Sequence, residues 1–158
     1  MIISPADTSA VSPMGDITHD LLTKLGMNVE LAVMDTGTMA QRRLSKEPVE
    51  KGGWSIFHGF LPAHHLDSPV SNGFARGLGS TGYFGWFADD VIEQRVRDWM
   101  VADSAAERDT AANAFQARGF ETVPSVPLGQ FHIRTAHRKD LVGRIEGYGV
   151  FFWNIRRG

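Results

Sequence analysis

Four side chains that can bind a metal ion or a small polar ligand lie close together between residues 58 and 67. They are His58, His64, His65 and Asp67. Imidazole and carboxylate groups are ligands of transition metals, and they also hydrogen-bond small organic solutes. The cluster therefore admits two functions: a small metal-binding protein or metal-dependent hydrolase, or a binding site without a metal. Adjacent histidines in an extended loop point apart, which favours the site without a metal.

Catalysis without a metal would need a nucleophile beside a base, and Ser55, His58 and Asp67 are the residues that could provide them. No Gly-x-Ser-x-Gly elbow surrounds Ser55, and nothing directs this serine towards His58. The chain has no cysteine, which excludes thiol nucleophiles and Cys-ligated zinc. The glycines at 77, 79, 82 and 85 are not followed by Lys-Ser or Lys-Thr, so no phosphate loop is present. We predict a protein that is not an enzyme and needs no cofactor.

The composition is that of an ordinary globular domain. The chain has 158 residues, 42% of them hydrophobic and 22% charged, and a formal net charge of -2. Acidic and basic residues are interspersed, which argues against a nucleic-acid partner because such proteins carry a basic stripe. No signal peptide is visible at Met1, where the first residues read as a strand. We expect a chain that starts partway through a longer protein.

The first 60 residues alternate between strand and helix patterns. After the opening strand, a helix is predicted over 13–25, a strand over 29–35, a helix from 36 to 44 and a buried strand over 54–58. Ser12 is the predicted N-cap of the first helix. Its predicted core face consists of Met14, Ile17, Leu21, Leu22 and Leu25. This order of elements predicts the α/β fold class.

The second half begins with an irregular stretch over 59–85, whose aromatic content indicates an ordered functional loop. Asp89 starts a predicted helix that ends at Val101. Ser104 and Glu107 form a capping box for another helix, which extends to about Gly119. Strands are predicted at 126–133, 135–138 and 150–155.

The predicted strand ends locate a ligand site. Ligands of open α/β sheets bind beyond the carboxyl ends of the strands, here residues 34–37 and 56–60 with the loop that follows. An apolar wall with a few polar groups is the usual composition of such a site. The predicted ligand-binding residues are Thr36, Phe57, His58, Phe60, His64 and Asp67.

Several segments resemble, in order and spacing, one family of transport proteins. They are the helix and strand over 22–35, GWSI at 53–56, WFADDVIE at 86–93, VPSVPLG at 123–129 and AHRKDLVG at 136–143. Together they resemble the C-terminal lobe of a family 5 extracellular solute-binding protein, the dipeptide-, oligopeptide- and nickel-binding type that serves ABC transporters.

This resemblance implies a periplasmic-binding-protein-like (type II) C-terminal lobe, with a mixed sheet flanked by helices. It implies that residues 1–158 form a single lobe, with the N-terminal lobe and the signal peptide absent. The function implied is the substrate-binding component of an ABC importer for peptides or similar small solutes, located in the periplasm. The partners implied are the N-terminal lobe and the ABC permease subunits. An exposed interlobe face would be apolar and would promote self-association.

The sequence departs from the family pattern after the cleft strand. Peptide-binding relatives carry an acidic residue there that pairs with the ligand's amino group, whereas residues 62–64 here contain no acid. Asp67 is the nearest carboxylate. It either replaces the missing group or caps the turn before Pro69.

Overall fold

A three-stranded parallel sheet organises the first third of the chain. The computed structural model describes residues 1–145, 147, 149 and 151–158. The strands β1 (Ile2–Pro5), β2 (Leu31–Met34) and β3 (Ile56–Phe57) are arranged in the order β2-β1-β3. The central strand β1 is buried along its whole length. The predicted α/β class is confirmed, but this sheet is purely parallel rather than mixed.

Two helices pack against this sheet, α1 (Ser12–Lys24) and α2 (Thr36–Arg42). Asp35 caps α2 by accepting a hydrogen bond from the backbone N–H of Thr38 at 3.0 Å. The prediction of Ser12 as the cap of α1 was wrong. Its hydroxyl donates to backbone carbonyl oxygens of the preceding turn, at Pro5 (2.6 Å) and Thr8 (2.9 Å), and no side chain caps the start of this helix, whose N-cap residue is Val11.

The predicted core face of α1 was wrong at three of its five residues, since Met14 and Leu22 are half-buried but the other three are exposed. Ile17, Leu21 and Leu25 are 67%, 55% and 69% exposed. The helix instead buries Gly15, where a Cβ would lie 2.5 Å from the Ser4 Oγ atom. Because glycine has no side chain, the helix backbone approaches the sheet at this point, and this contact sets which side of α1 faces inward.

A second core forms between α3 (Asp90–Val101) and α4 (Ala105–Thr122). It consists of Ala75, Ile92, Val96 and Phe115, with Phe87 packed against it. The predicted starts of both helices are confirmed: Asp89 accepts from the N–H of Ile92, and Ser104 from that of Glu107. The Glu107 carboxylate reaches the N–H of Asp103, one residue before the predicted partner. Helix α4 ends later than predicted, at Thr122.

The irregular stretch over 59–85 is confirmed, apart from short 3-10 turns at Ala63–His65 and Gly79–Thr81. The strands predicted at 126–133 and 135–138 were wrong, because these exposed residues find no partner strand among the described residues. Of the strand predicted at 150–155, Val150 lies outside the described residues, and 151–155 are not a strand. The strands β4 (Leu141–Val142) and β5 (Arg156–Arg157) instead form a separate antiparallel pair. No helix among the described residues has the length and apolarity needed to cross a membrane.

Candidate ligand-binding site

Polar side chains gather where the three parallel strands end. Asp7 and Thr8 follow β1, Asp35 and Thr36 follow β2, and His58 follows β3 directly. Parallel strands end at the same side of a sheet, which we call the carboxyl edge. The fold therefore brings these residues, 51 positions apart at the extremes, to one border of the sheet.

Asp7 and Thr36 form the best-connected pair of the carboxyl edge. The Asp7 carboxylate accepts hydrogen bonds from the backbone N–H (2.9 Å) and the hydroxyl of Thr36. The Thr36 oxygen lies 2.7 Å from the Thr8 hydroxyl. Because the Thr36 proton is directed to Asp7, Thr8 is the donor in that contact. The bonds from Thr36 hold the pKa of Asp7 below its usual value, so this exposed carboxylate is ionised at neutral pH.

Asp35 is a second ionised carboxylate at the same edge. It accepts hydrogen bonds from the hydroxyl and the backbone N–H of Thr38, and these bonds lower its pKa. Its side chain is exposed. The carboxyl edge of β1 and β2 thus presents two negative charges to solvent, which a cationic group of a ligand would find attractive.

The His58 side chain, directly after β3, is buried rather than exposed at the carboxyl edge. Its Nε2 atom lies 2.8 Å from the hydroxyl of Thr18 on α1. Its Nδ1 atom is buried and has no hydrogen-bond partner among the described residues. Burial lowers the pKa of His58, so the ring is neutral near pH 7.

Phe57, the last residue of β3, packs among aromatic side chains. Its ring meets Trp54 edge-on, with the centroids 5.0 Å apart. The Arg43 guanidinium lies 5.3 Å from the Phe57 ring and 4.1 Å from that of Phe84. Phe57 thus belongs to an aromatic cluster that is half-buried, and the structure does not bring it together with His58.

The remaining predicted residues lie on the loop after β3. His64 and His65 are exposed on a 3-10 turn, with ring centroids 4.4 Å apart. The Phe60 ring contacts that of Phe131 at 5.4 Å. Asp67 accepts a long hydrogen bond of 3.4 Å from the hydroxyl of Ser71, so this bond closes the turn that contains Pro69 and Val70.

These residues do not assemble a metal site. Within the described residues, no group of three or more histidine, aspartate or glutamate side chains is placed to hold a metal ion. His58 hydrogen-bonds to α1, whereas the rings of His64 and His65 meet edge-on in the loop. The alternative function that relied on His58, His64, His65 and Asp67 therefore has no support.

Two surface grooves lie elsewhere. One, of about 300 Å³, runs between α4 and residues 123–127, and the other, of about 490 Å³, lies between α3 and α4. Neither is lined by any of the six predicted ligand-binding residues. These two grooves are therefore separate from the carboxyl edge.

No family model matches the chain. A curated relative does match it: the probable peptide ABC transporter periplasmic-binding protein y4tO of Sinorhizobium fredii, 29% identical over 161 residues. The chain is similar to a transport binding protein. The match covers 99% of this chain and 30% of the relative, so the chain spans about a third of the relative's length. The resemblance predicted from the sequence is confirmed, and the share covered fits one lobe of a binding protein.

Asp7, Thr8 and Thr18 of this binding-protein-like chain were not among the residues predicted from the sequence. Asp7 and Thr8 follow the first strand as Asp35 and Thr36 follow the second, so the rule of strand ends could have found them. Thr18 could not be found in this way, because its contact with His58 depends on the rotation of α1.

Proposed function

We propose that residues 1–158 form the C-terminal lobe, of the type II fold, of a non-catalytic substrate-binding component of an ABC importer for peptides or similar small solutes. The observation that carries this proposal is the match to the y4tO protein over 99% of the chain. The proposed partners are an N-terminal lobe and the ABC permease subunits, and the proposed location is the periplasm.

The large exposed surface of the chain supports the proposal that it is one lobe of a larger protein. The chain exposes 11071 Å², whereas a compact monomer of 17.4 kDa exposes about 7,900 Å². Large apolar side chains contribute to this excess, including Ile17, Leu21 and Leu25 on α1 and Phe120 on α4. Such surface is typical of a domain that packs against other parts of a longer polypeptide.

The proposed ligand-binding wall consists of the six predicted residues with Asp7 added. Thr36, Phe60, His64 and Asp67 are exposed and contact the ligand directly in this proposal. In this proposal the buried His58 and the half-buried Phe57 support these exposed residues from the interior. The Asp7 carboxylate takes the place of the acid that the loop after β3 lacks, and binds the ammonium group of a peptide. One wall without its opposite lobe buries little of a ligand, so binding is weak.

The test is an NMR titration of the 15N-labelled chain with trialanine. We expect shifts at residues of the carboxyl edge, with a Kd of about 1 mM or weaker, equivalent to roughly -4 kcal/mol. Acetylated trialanine, which has no ammonium group, should cause smaller shifts, and so should trialanine added to Asp7→Asn. Asp16→Asn, which removes an exposed carboxylate on α1, is the matched control. Tight binding by the chain alone, or equal binding of both peptides, would contradict the proposal.

A further inference from the structure

Strand β2 has an open edge that nothing in the described chain protects. It pairs with β1 alone, so the backbone groups on its other side have no partner strand among the described residues. Its four residues are all apolar, with no lysine or proline, and Val33 is 59% exposed. Natural proteins block such edges with charges, prolines or bulges, because an unblocked edge accepts further strands. The other outer strand, β3, has only two residues.

The same chain carries a segment with the properties of a missing strand, residues 130–137. It contains neither proline nor glycine, and Phe131, Ile133 and Thr135 alternate with His132 and Arg134. Every residue of it is exposed. No backbone group of 130–137 bonds to another residue of the part that the structure describes. Water solvates these exposed backbone groups in the single chain, and pairing with an open strand edge would replace that water with backbone partners.

The charges of the two elements are complementary. Residues 130–137 contain Arg134 and no carboxylate. Strand β2 is flanked by Glu30 on one side and by Asp35 on the other, and Asp35 is held ionised by Thr38. A strand added to β2 in either direction therefore brings Arg134 towards a carboxylate.

We propose that residues 130–137 of one copy of this chain add as a strand to the open edge of β2 in a second copy. Reciprocal exchange closes the pair as a two-fold dimer with both edges covered. Phe131 and Ile133 then lie beside Leu31 and Val33, and the exposed apolar edge is removed from water. This surface involves no ligand, so the proposal stands or falls independently of peptide binding.

The experiment measures the dimerisation constant by analytical ultracentrifugation. Ile133→Pro removes an N–H group from the donor segment, where the side chain is 72% exposed and folding does not depend on it. Val33→Lys places a charge on the acceptor edge. We expect each variant to weaken dimerisation about tenfold or more, equivalent to about 1.4 kcal/mol. The controls Ile133→Val and Val33→Thr keep strand-forming residues and should dimerise as the wild type does.

Mixing the two disrupted variants gives a sharper result. Ile133→Pro retains an intact β2 edge and Val33→Lys retains an intact donor segment, so the mixture should form a heterodimer held by one exchanged strand. Amide hydrogen exchange at 130–137 should slow as the wild-type concentration rises. A wild-type chain that stays monomeric, or a dimer that neither variant weakens, would overturn the proposal. Loss of the dimer in Leu21→Lys alone would do so too, because it would assign the interface to the exposed face of α1.

Discussion

The hydroxyl of Thr18 lies 2.8 Å from Nε2 of His58, which joins the middle of α1 to the residue directly after β3. This hydrogen bond is the polar contact that fixes α1 over the end of the third strand. It also satisfies one nitrogen of a histidine that is otherwise buried, while Nδ1 has no partner among the described residues. The bond therefore affects both the stability of the fold and the shape of the carboxyl edge.

Thr18→Val should lower the free energy of unfolding by about 1–3 kcal/mol. Valine has the shape of threonine without the hydroxyl, so the substitution leaves His58 with a buried, unsatisfied ring. Urea denaturation monitored by circular dichroism measures the effect. Thr18→Ser is the control because it keeps the donor and acceptor. A valine variant as stable as the serine variant would show that the bond contributes nothing.

The lowered pKa of His58 also predicts that the stability of the fold depends on pH. Burial lowers its pKa below the ordinary value of 6.5, so the unfolded chain binds a proton that the folded chain does not. The contribution of His58 is therefore complete above the unfolded pKa and is lost as the pH falls below it. We expect the free energy of unfolding to fall from about pH 7.5 to about pH 5.5, and the slope to be smaller in His58→Gln. Equal slopes would contradict this assignment.

Asp7→Asn tests the other polar contact of the carboxyl edge. The hydrogen bonds from Thr36 lower the pKa of Asp7 in the folded state. A carboxyl with a lowered folded pKa stabilises above its unfolded pKa, and this contribution disappears as the pH falls through the folded value. The asparagine variant should be less stable than the wild type at neutral pH, and this deficit should shrink as the pH is lowered to about 3.

Asp16→Asn is the matched control for that experiment because Asp16 is an exposed carboxylate of α1. Thermal unfolding of all three proteins at both pH values gives the comparison. An Asp7→Asn deficit that persists unchanged in acid would mean that the lost interaction is not the one with the carboxylate.

The order of helices and strands up to residue 122 could be predicted because local signals specify it. Asp89 and Ser104 each cap the helix that follows, as the sequence indicates. The rotation of α1 could not be predicted, since the contact between Gly15 and Ser4 decides it and a glycine gives no hydrophobic signal. The strands predicted at 126–133 and 135–138 were wrong because a strand requires a partner as well as a local preference, and pairing is not a local property.

The same distinction applies to the candidate site. The location of Thr36 at the carboxyl edge could be predicted, because it depends only on chain order and parallel pairing. The convergence of His58 with His64 could not be decided from spacing. The face on which His58 lies is set by its contact with α1, and the 3-10 turn at Ala63–His65 sets the direction of the loop.

Glu93→Gln should weaken the attachment of the loop around Arg76 and Gly77 to α3. Both Glu93 oxygens accept from Arg76, at 2.8 and 2.7 Å, and one of them also accepts from the N–H of Gly77 at 2.8 Å. The side chains of Arg76 and Glu93 are largely buried. The hydrogen bonds from Arg76 lower the pKa of Glu93, so the Glu93 carboxyl is ionised. We expect a loss of about 2 kcal/mol and faster proteolysis within 67–88. Asp20→Asn, which breaks the exposed pair with Lys24, should cost less than about 0.5 kcal/mol.

Gly15 and Gly119 provide a paired test of the α1 contact. Both lie within helices, and alanine is favoured over glycine there by about 1 kcal/mol. Around Gly119 nothing lies within 4 Å of an added Cβ, so Gly119→Ala should stabilise the protein by about 0.5–1 kcal/mol. At Gly15 the added Cβ would lie 2.5 Å from Oγ and 2.8 Å from Cβ of Ser4, on the buried central strand.

Gly15→Ala should therefore destabilise by about 1–3 kcal/mol in spite of the gain in helix propensity. Removing the Ser4 side chain relieves the clash, so Gly15→Ala combined with Ser4→Gly should lose less than the sum of the two single variants. Chemical denaturation of the four proteins gives the coupling energy. If Gly15→Ala proved as stabilising as Gly119→Ala, α1 would have to be rotated, with Ile17 and Leu21 turned towards the sheet as their spacing first indicates.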